Sequence, residues 1–248
     1  MDTCTVCFVE KEKVDLKGYT LIEGFPGIGL VGTIAAKYLL EKMQFEYSGH
    51  VECSDFAPVI RVHKGIPLHP ARIYVNSKNK LAVLIAEQMI ESKTTETLAE
   101  KMVAWIKSKN IKRVISIAGI HAEGTASNEV YGIASHSESL KELEKFGVKI
   151  IEDGLTTGVT ALILLKLNKE KTILAYSLLG NVNLTADYKT AAVIIEKLNA
   201  ILGLNIDAKP LLEEAKSMEE LVKKQINQIK ETQEKTEKYM DKGPQMYA

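Results

Sequence analysis

Apolar and polar positions follow two different periods along residues 1–206. Short runs rich in β-branched and aromatic residues predict strands, and runs with apolar residues three and four apart predict helices. The runs with strand character are 19–25, 45–53, 58–63, 72–76, 81–88, 113–120, 148–152 and 172–179. The runs with helix character are 31–43, 94–110, 138–146, 157–168 and 187–203.

This alternation predicts the fold class. Strands that alternate with helices are typical of an α/β domain with a mainly parallel sheet and helices on both faces, as in Rossmann-like folds. Residues 113–120 (RVISIAGI) are almost continuously apolar, which favours a strand buried on both faces. The strands between residues 45 and 88 follow one another without a helix, so we expect a mixed or antiparallel section there.

The helix predicted over 94–110 carries the single tryptophan of the chain. Trp105 lies at helical spacing from the apolar residues of this segment, so we expect it in the core. Thr94 or Thr95 is the expected N-cap, because a threonine hydroxyl can accept a hydrogen bond from an unpaired amide of the first turn.

The pattern divides the chain into three parts. Residues 1–206 form the α/β core, residues 207–242 a charged helical extension, and residues 243–248 an extended docking tail. The first half of the extension has an apolar seam and should pack on something, whereas its second half is at best a weak coiled-coil seam. A helix of about 30 residues spans roughly 45 Å. Gly243 and Pro244 should end it, because glycine accepts the left-handed cap and proline cannot continue the hydrogen-bond ladder.

Composition narrows the range of partners. The 248 residues include 32 basic and 32 acidic side chains, so the formal net charge is zero. This balance gives no attraction to nucleic acid or to an anionic membrane, and it is compatible with self-assembly. No apolar run has the roughly 20 residues needed to cross a bilayer, and the N-terminus does not resemble a signal peptide. We therefore expect a cytoplasmic protein.

Cysteines and histidines do not indicate a metal site or a cofactor. Cys4 and Cys7 form a C-x-x-C, but the surrounding segment has strand character, which places the two side chains on opposite faces. No second pair completes a zinc site. The scattered histidines are expected to be structural or surface residues: His50, His63, His69 and His136.

One glycine-rich segment could bind a nucleotide. Gly27, Gly29 and Gly32 satisfy G-x-G-x-x-G between a predicted strand and a predicted helix, the setting in which helix amides bind a pyrophosphate. Glu52 follows Gly32 by twenty residues, where an acid that binds ribose is expected. The alternative is a tight turn, stiffened by Pro26, whose glycines permit close packing.

Two further loops have related features. The loop 119–132 follows a predicted buried strand, and its His121 and Glu123 could form an acid–base pair. Segment 153–165 has a similar strand–glycine–helix form. Together with the Gly27–Gly32 turn they permit the hypothesis of a nucleoside- or nucleotide-binding enzyme with a phosphorylase-like fold. No nucleophile or metal set accompanies them, and ordinary loops are the alternative.

Four segments together resemble the proteasome assembly chaperone type-2 family, in particular its archaeal members. They are GFPGIGLVGTIAAKYLLEKM, RVISIAGIHAEG, DGLTTGVTALILLKL and SLLGNVNLTADYKTAAVIIEKLNAILGLNID. The match extends from about residue 18 to residue 207. In the last segment Asp187, Ala191 and Ala192 match the family pattern, whereas the prolines usual there are absent.

The resemblance implies a fold and a function. It implies an α/β fold similar to that of nucleoside phosphorylases without their catalytic set, and hence a protein that is not an enzyme. It also implies binding to the α-subunits of the 20S proteasome, as an assembly chaperone or an ATP-independent activator. A homo-oligomer is implied, with a tetramer favoured.

The last three residues, Met246, Tyr247 and Ala248, form a hydrophobic–Tyr–X tripeptide. This tripeptide is similar to the tail motif of proteasome activators. By resemblance, such tails insert between adjacent α-subunits and favour an open gate. We therefore expect these three residues to bind the partner.

Overall fold

A mixed sheet of nine strands organises the residues that the computed structural model describes, which are 6–121 and 129–217. A separate two-stranded hairpin consists of the fourth and fifth strands of the chain. The strands are β1 (Val6–Glu10), β2 (Thr20–Gly24), β3 (Glu46–Cys53), β4 (Arg61–His63), β5 (Ile66–Leu68), β6 (Ala71–Asn76), β7 (Leu81–Ala86), β8 (Arg113–Ile120), β9 (Val130–Ala134), β10 (Lys149–Ile150) and β11 (Leu174–Asn181).

Helices connect the parallel strands and cover both faces of the sheet. They are α1 (Val31–Lys42), α2 (Ser92–Ser108), α3 (Ser137–Lys145), α4 (Gly158–Leu167) and α5 (Tyr188–Leu202). A short 3₁₀ turn, Ile28–Leu30, precedes α1. Residues 209–217 are also helical. No helix among the described residues has both the length and the apolar character needed to cross a bilayer.

The strand order is β1-β3-β6-β7-β2-β8-β11-β9-β10. The four central strands, β7, β2, β8 and β11, are parallel to one another. Strands β1, β3 and β6 continue the sheet as antiparallel neighbours. On the other side, β9 is antiparallel to β11 and β10 is parallel to β9. The predicted α/β class and the mixed section at 45–88 are thus confirmed.

Two hydrophobic layers lie on opposite faces of the sheet because successive strand residues point to opposite sides. On β2, Leu21 packs with the side chains of α2 and α4, whereas Ile22 packs with those of α1 and α5. Both side chains are fully buried. The central strands are therefore apolar on both faces, which explains why residues 113–120 have no polar alternation.

The edge strand β1 is held to the body by its contacts with α2. The indole nitrogen of Trp105 donates a hydrogen bond to Glu10 Oε1 at 2.9 Å, and the Trp105 ring stacks on Phe8 with centroids 5.0 Å apart. Lys109 donates to the other Glu10 oxygen at 2.6 Å. Trp105 is buried, so the prediction that it belongs to the core is confirmed.

The first part of the predicted C-terminal extension packs on the core. Ala208 and Leu211 are buried with α1 and α5, and Ala215 is also buried. The Tyr38 hydroxyl on α1 donates a hydrogen bond to the Asp207 carbonyl oxygen at 2.6 Å. The rest of the extension and the tail lie outside the described residues.

Three local predictions need correction. Helix α2 begins at Ser92 rather than at Thr94 or Thr95; Glu91 is its N-cap, and the Thr95 hydroxyl donates back to the Glu91 carbonyl. Strand β5, at residues 66–68, lies between two predicted strands where no strand was predicted, and it pairs with β4 in the separate hairpin. Strand β9 begins at the end of the predicted loop 119–132 and extends beyond it, where its short alternating pattern gives little signal beside so many polar residues.

Candidate functional site

Three loops meet at the carboxyl ends of the parallel strands β2, β8 and β11. We call them the carboxyl-edge loops: residues 27–30, 119–121 and 181–187. Main-chain hydrogen bonds join them, since the Asp187 amide donates to the Gly29 carbonyl and the Val182 amide donates to the Ile120 carbonyl, both at 2.9 Å. Open α/β sheets usually bind their ligands at this edge. A ligand site is therefore expected first at the carboxyl-edge loops.

Most glycines of these loops, and Gly32 just after the first loop, are in close contact with the protein itself. A Cβ atom on Gly29, where φ is +66°, would lie 2.4 Å from Val182 Cγ1. A Cβ atom on Gly32 would lie 2.4 Å from the Ile117 carbonyl oxygen, and one on Gly119 would lie 2.1 Å from the Ile28 carbonyl oxygen. These glycines are thus needed for packing between turn, strand and helix. Gly27 differs, because nothing lies within 4 Å of such a Cβ atom.

The described residues of the carboxyl-edge loops include no lysine or arginine. A phosphate bound there would therefore contact main-chain amides, and these loops would add no cationic side chain. Helix α1 starts from Leu30, which has left-handed backbone angles and makes no side-chain cap. The close contacts of Gly29 and Gly32 with Val182 and Ile117 are what favour the tight-turn interpretation over pyrophosphate binding.

Asp187 is the carboxylate of these loops, and its contacts are structural. It is almost fully buried, and its two oxygens accept hydrogen bonds from the Thr190 amide at 2.8 Å and the Asn183 amide at 3.0 Å. It therefore caps α5 and closes the loop that leads to it. The sequence marks Asp187 as a family match, and the structure supplies this physical role.

His121 and Glu123 are not shown to form a pair. His121 Nδ1 lies 3.1 Å from the Val182 carbonyl oxygen, a contact that ties the second loop to the third. Glu123 lies outside the described residues. The acid–base hypothesis thus stays a prediction without a geometric test.

Glu52 is not at the glycine turn, so its interpretation as a ribose-binding acid is wrong. It lies on β3, which β6 and β7 separate from β2. Neighbouring strands are about 4.8 Å apart, so the two strands are separated by about 14 Å. Glu52 belongs to a different group of side chains near the sheet edge, together with His50 and His69. The expectation that the histidines are scattered is accordingly wrong for these two.

A buried carboxyl group lies at the end of β2, next to the glycine turn. Glu23 is completely buried, and the Thr160 hydroxyl on α4 donates a hydrogen bond to its Oε2 at 2.9 Å. Burial raises the pKa of Glu23, and hydrogen bonds offset only part of this effect. Because Glu23 is completely buried, we assign it a role in stability rather than in ligand contact.

Apolar side chains are exposed on the carboxyl-edge loops. Ile28 is 46% exposed, and Leu30 and Leu184 are also exposed. Exposed apolar side chains on adjoining loops are typical of surfaces that contact another protein rather than a nucleotide. The predicted partner-binding residues Met246, Tyr247 and Ala248, and the helix-ending Gly243 and Pro244, lie outside the described residues.

Comparison with known proteins reveals similarity along the whole chain. The PAC2 family model matches residues 21–226. An uncharacterized protein of Methanocaldococcus jannaschii is 31% identical over 240 residues, which cover 97% of this chain and 96% of that relative.

Solved structures from Pyrococcus furiosus have the same fold. PbaA, described as an archaeal homolog of proteasome-assembly chaperone, superposes with a TM-score of 0.81 at 32% identity, covering 95% of this chain and 98% of PbaA. PbaB, described as an archaeal proteasome activator, has a TM-score of 0.74 at 24% identity, covering 90% of this chain and 99% of PbaB. The likeness to PbaB concerns the fold alone.

Proposed function

Because this chain belongs to the PAC2 family, as the resemblance predicted, we propose that it is a non-enzymatic protein that binds the 20S proteasome. The observation that carries the proposal is the likeness to PbaA over 95% of the chain at 32% identity. The close packing of the glycine turn supports the proposal, because contacts with the protein itself account for Gly29 and Gly32 without a bound phosphate. The protein acts in this proposal as an assembly chaperone homologue or an ATP-independent activator.

The proposed contact with the proteasome is the C-terminal tripeptide. Met246 and Tyr247 would bury apolar area in a pocket between adjacent α-subunits, and the tyrosine hydroxyl can take one hydrogen-bond partner. The main-chain carboxylate of Ala248 would pair with a cationic group in the pocket, which is a recurrent way to capture a chain end. Recognition by the pocket thus depends on two side chains and on the terminal carboxylate.

Self-association would make this weak contact effective. A peptide of three or four residues binds weakly alone, because ordering it opposes much of its contact energy. Several tails on one homo-oligomer would raise the apparent affinity by about 10²–10⁴-fold if their spacing matches the pockets. A tetramer is the proposed form.

The proposed contact between copies is the β4–β5 hairpin. This hairpin pairs with no other strand of the described residues. Apolar side chains on the hairpin and on the two residues just before it are exposed to solvent: Val62, Ile66, Val59 and Ile60. Ile60 is 64% exposed and Ile66 is 62% exposed. Such a cluster is more typical of an interface than of a solvated surface.

The tail is tested with full-length protein whose C-terminal Ala248 is first verified by intact mass. We expect deletion of Met246–Ala248 to weaken binding to 20S particles at least tenfold, because both anchoring side chains are lost. Addition of one residue after Ala248 should weaken it similarly, because the carboxylate is displaced while every side chain is kept. Surface binding assays and peptide hydrolysis by the 20S particle measure both effects.

Gln245→Ala is the matched control, because it changes a residue next to the tripeptide and leaves the tripeptide intact. Retention of full binding and stimulation by both altered tails would refute tail docking. The rate of α-ring formation, compared with the activity of finished 20S particles, then separates a chaperone from an activator.

A further inference from the structure

Two histidines and one glutamate meet near the β1 edge of the sheet, far from the carboxyl-edge loops. His50 and Glu52 lie two residues apart on β3 and so share one face. His69 lies in the turn between β5 and β6. Their candidate ligand atoms all lie within 4.8 Å of one another, and the two imidazole rings stack with centroids 3.6 Å apart. We call these three residues the histidine cluster.

One oxygen of the Glu52 carboxylate lies near the Nε2 atoms of both stacked rings. Glu52 Oε1 is 3.0 Å from His50 Nε2 and 3.9 Å from His69 Nε2. Both imidazoles therefore present the same type of nitrogen to one oxygen. Two imidazole nitrogens and a carboxylate are a common ligand set of Zn²⁺ sites that keep an open coordination position.

Neighbouring side chains hold the ring of His50 and the main chain of His69. The Tyr47 hydroxyl lies 2.8 Å from His50 Nδ1, so the opposite nitrogen of this ring is the one directed at Glu52. Arg72, which is buried, donates a hydrogen bond to the His69 carbonyl oxygen at 2.6 Å. A partner on the second ring nitrogen, such as Tyr47 provides for His50, sets the orientation of a metal-binding imidazole.

A cavity beside the cluster contains an independent indication of a ligand. Its volume is about 510 Å³, and Glu52, His69 and Gln88 are among the residues that line it. Gln88 is only 5% exposed, and neither its amide nitrogen nor its amide oxygen has a hydrogen-bond partner among the described residues. Buried polar groups are nearly always paired with protein, water or an ion. A bound ion with its water would provide partners in this cavity.

We propose that His50, Glu52 and His69 bind a divalent transition-metal ion of the Zn²⁺ class. Imidazole and carboxylate suit Zn²⁺ and similar ions, and the two nitrogens would each approach the metal to about 2.0–2.1 Å. The ion replaces the contact between His50 and Glu52. The His69 ring, which is half exposed, turns out of its parallel stack on His50 so that both nitrogens point at the metal within their ring planes. The remaining coordination position faces the cavity and takes water or an exchangeable ligand.

Metal binding at this place has a structural consequence. The ion joins β3 to the turn that connects the β4–β5 hairpin to β6, which are separate segments of the chain. It therefore fixes the base of the hairpin against the sheet. Binding to the folded state alone raises the unfolding temperature by about 5–10 °C when the free metal is 100 times its Kd.

The test uses the full-length chain without a polyhistidine tag, first freed of metal by a chelator. Addition of Zn²⁺ should give one ion per chain in a calorimetric titration and the rise in unfolding temperature stated above. His50→Ala and His69→Ala should each weaken the affinity about 100-fold, because one of three ligands is lost. Tyr47→Phe should weaken it about tenfold, because it removes only an orienting contact.

His63→Ala is the matched control, since His63 is an exposed histidine of the same region outside the cluster. It should leave the affinity unchanged. Glu52→Gln keeps the shape of the side chain and should still weaken binding, which guards against loss of folding in the alanine variants. A stoichiometry well below one, or equal affinity in the His50→Ala, His69→Ala and His63→Ala variants, would overturn the proposal.

Discussion

At the level of single residues, Glu23 best illustrates a conflict between sequence pattern and environment. It lies in a strand whose five residues are all buried, on the face that packs against α2 and α4. A buried carboxylate loses hydration, so the folded protein prefers the protonated form and the pKa of Glu23 rises. The Thr160 hydroxyl donates a hydrogen bond to one of its oxygens.

This burial predicts a specific dependence of stability on pH. The folded pKa of Glu23 is raised above 4.5, so its contribution is fully present below pH 4.5 and is lost as the pH rises through the folded pKa. Glu23→Gln removes this titration. We expect the difference in unfolding free energy between the variant and the wild type to grow by up to about 1.4 kcal/mol per pH unit within that window.

Urea denaturation of both proteins in the same buffers measures that difference, because the other titrating groups cancel. A variant whose stability follows the wild type at every pH would show that Glu23 does not titrate differently on folding.

At the level of elements, the segment 209–217 shows how a charged run becomes part of the body. Its apolar residues recur at helical spacing, and the structure places Leu211 against the layer of α1 and α5. The hydrogen bond from Tyr38 to Asp207 fixes the direction of entry. Docking of this segment therefore depends on burial of one narrow apolar stripe.

Leu211→Ala should accordingly lower the unfolding free energy by about 2–4 kcal/mol, because the change leaves a cavity in a packed layer. Glu213→Ala, in the same segment but on an exposed position, should change it by less than about 0.5 kcal/mol. Chemical denaturation followed by circular dichroism compares the two variants. Equal effects would mean that the segment does not depend on its apolar face.

At the level of the whole molecule, the proposed assembly depends on surfaces more than on the core. The chain has zero net charge, and the β4–β5 hairpin exposes apolar side chains that its own sheet does not cover. Little electrostatic repulsion opposes contact between copies through such a surface.

Ile66→Lys should therefore reduce the mass measured by light scattering toward that of one 27.4 kDa chain, because a charge would be placed in the proposed interface. Leu165→Lys, at an exposed apolar position of α4, is the comparison and should leave the mass unchanged. If both variants keep the wild-type mass, the hairpin is not the contact between copies.

Features that depend on local sequence could be predicted, whereas features that depend on contacts between distant segments could not. Trp105 and residues 113–120 could be predicted, because burial of one helix face or of a whole strand appears in the local period. The grouping of His50 with His69 could not, because it depends on where an irregular turn returns to the sheet. The glycine turn was ambiguous for a related reason: its spacing fits phosphate binding and close packing equally, and only the neighbouring Ile117 and Val182 distinguish them.

The sequence by itself determined the alternation of strands and helices, the family, and the C-terminal tripeptide on which the proposed docking depends. Tertiary structure alone decided the strand order, the antiparallel pairing of β9, the distance of Glu52 from the glycine turn and the assembly of the histidine cluster. The physical reason is that periodicity reports which side of an element is buried, whereas contacts between distant segments depend on how the completed sheet arranges them.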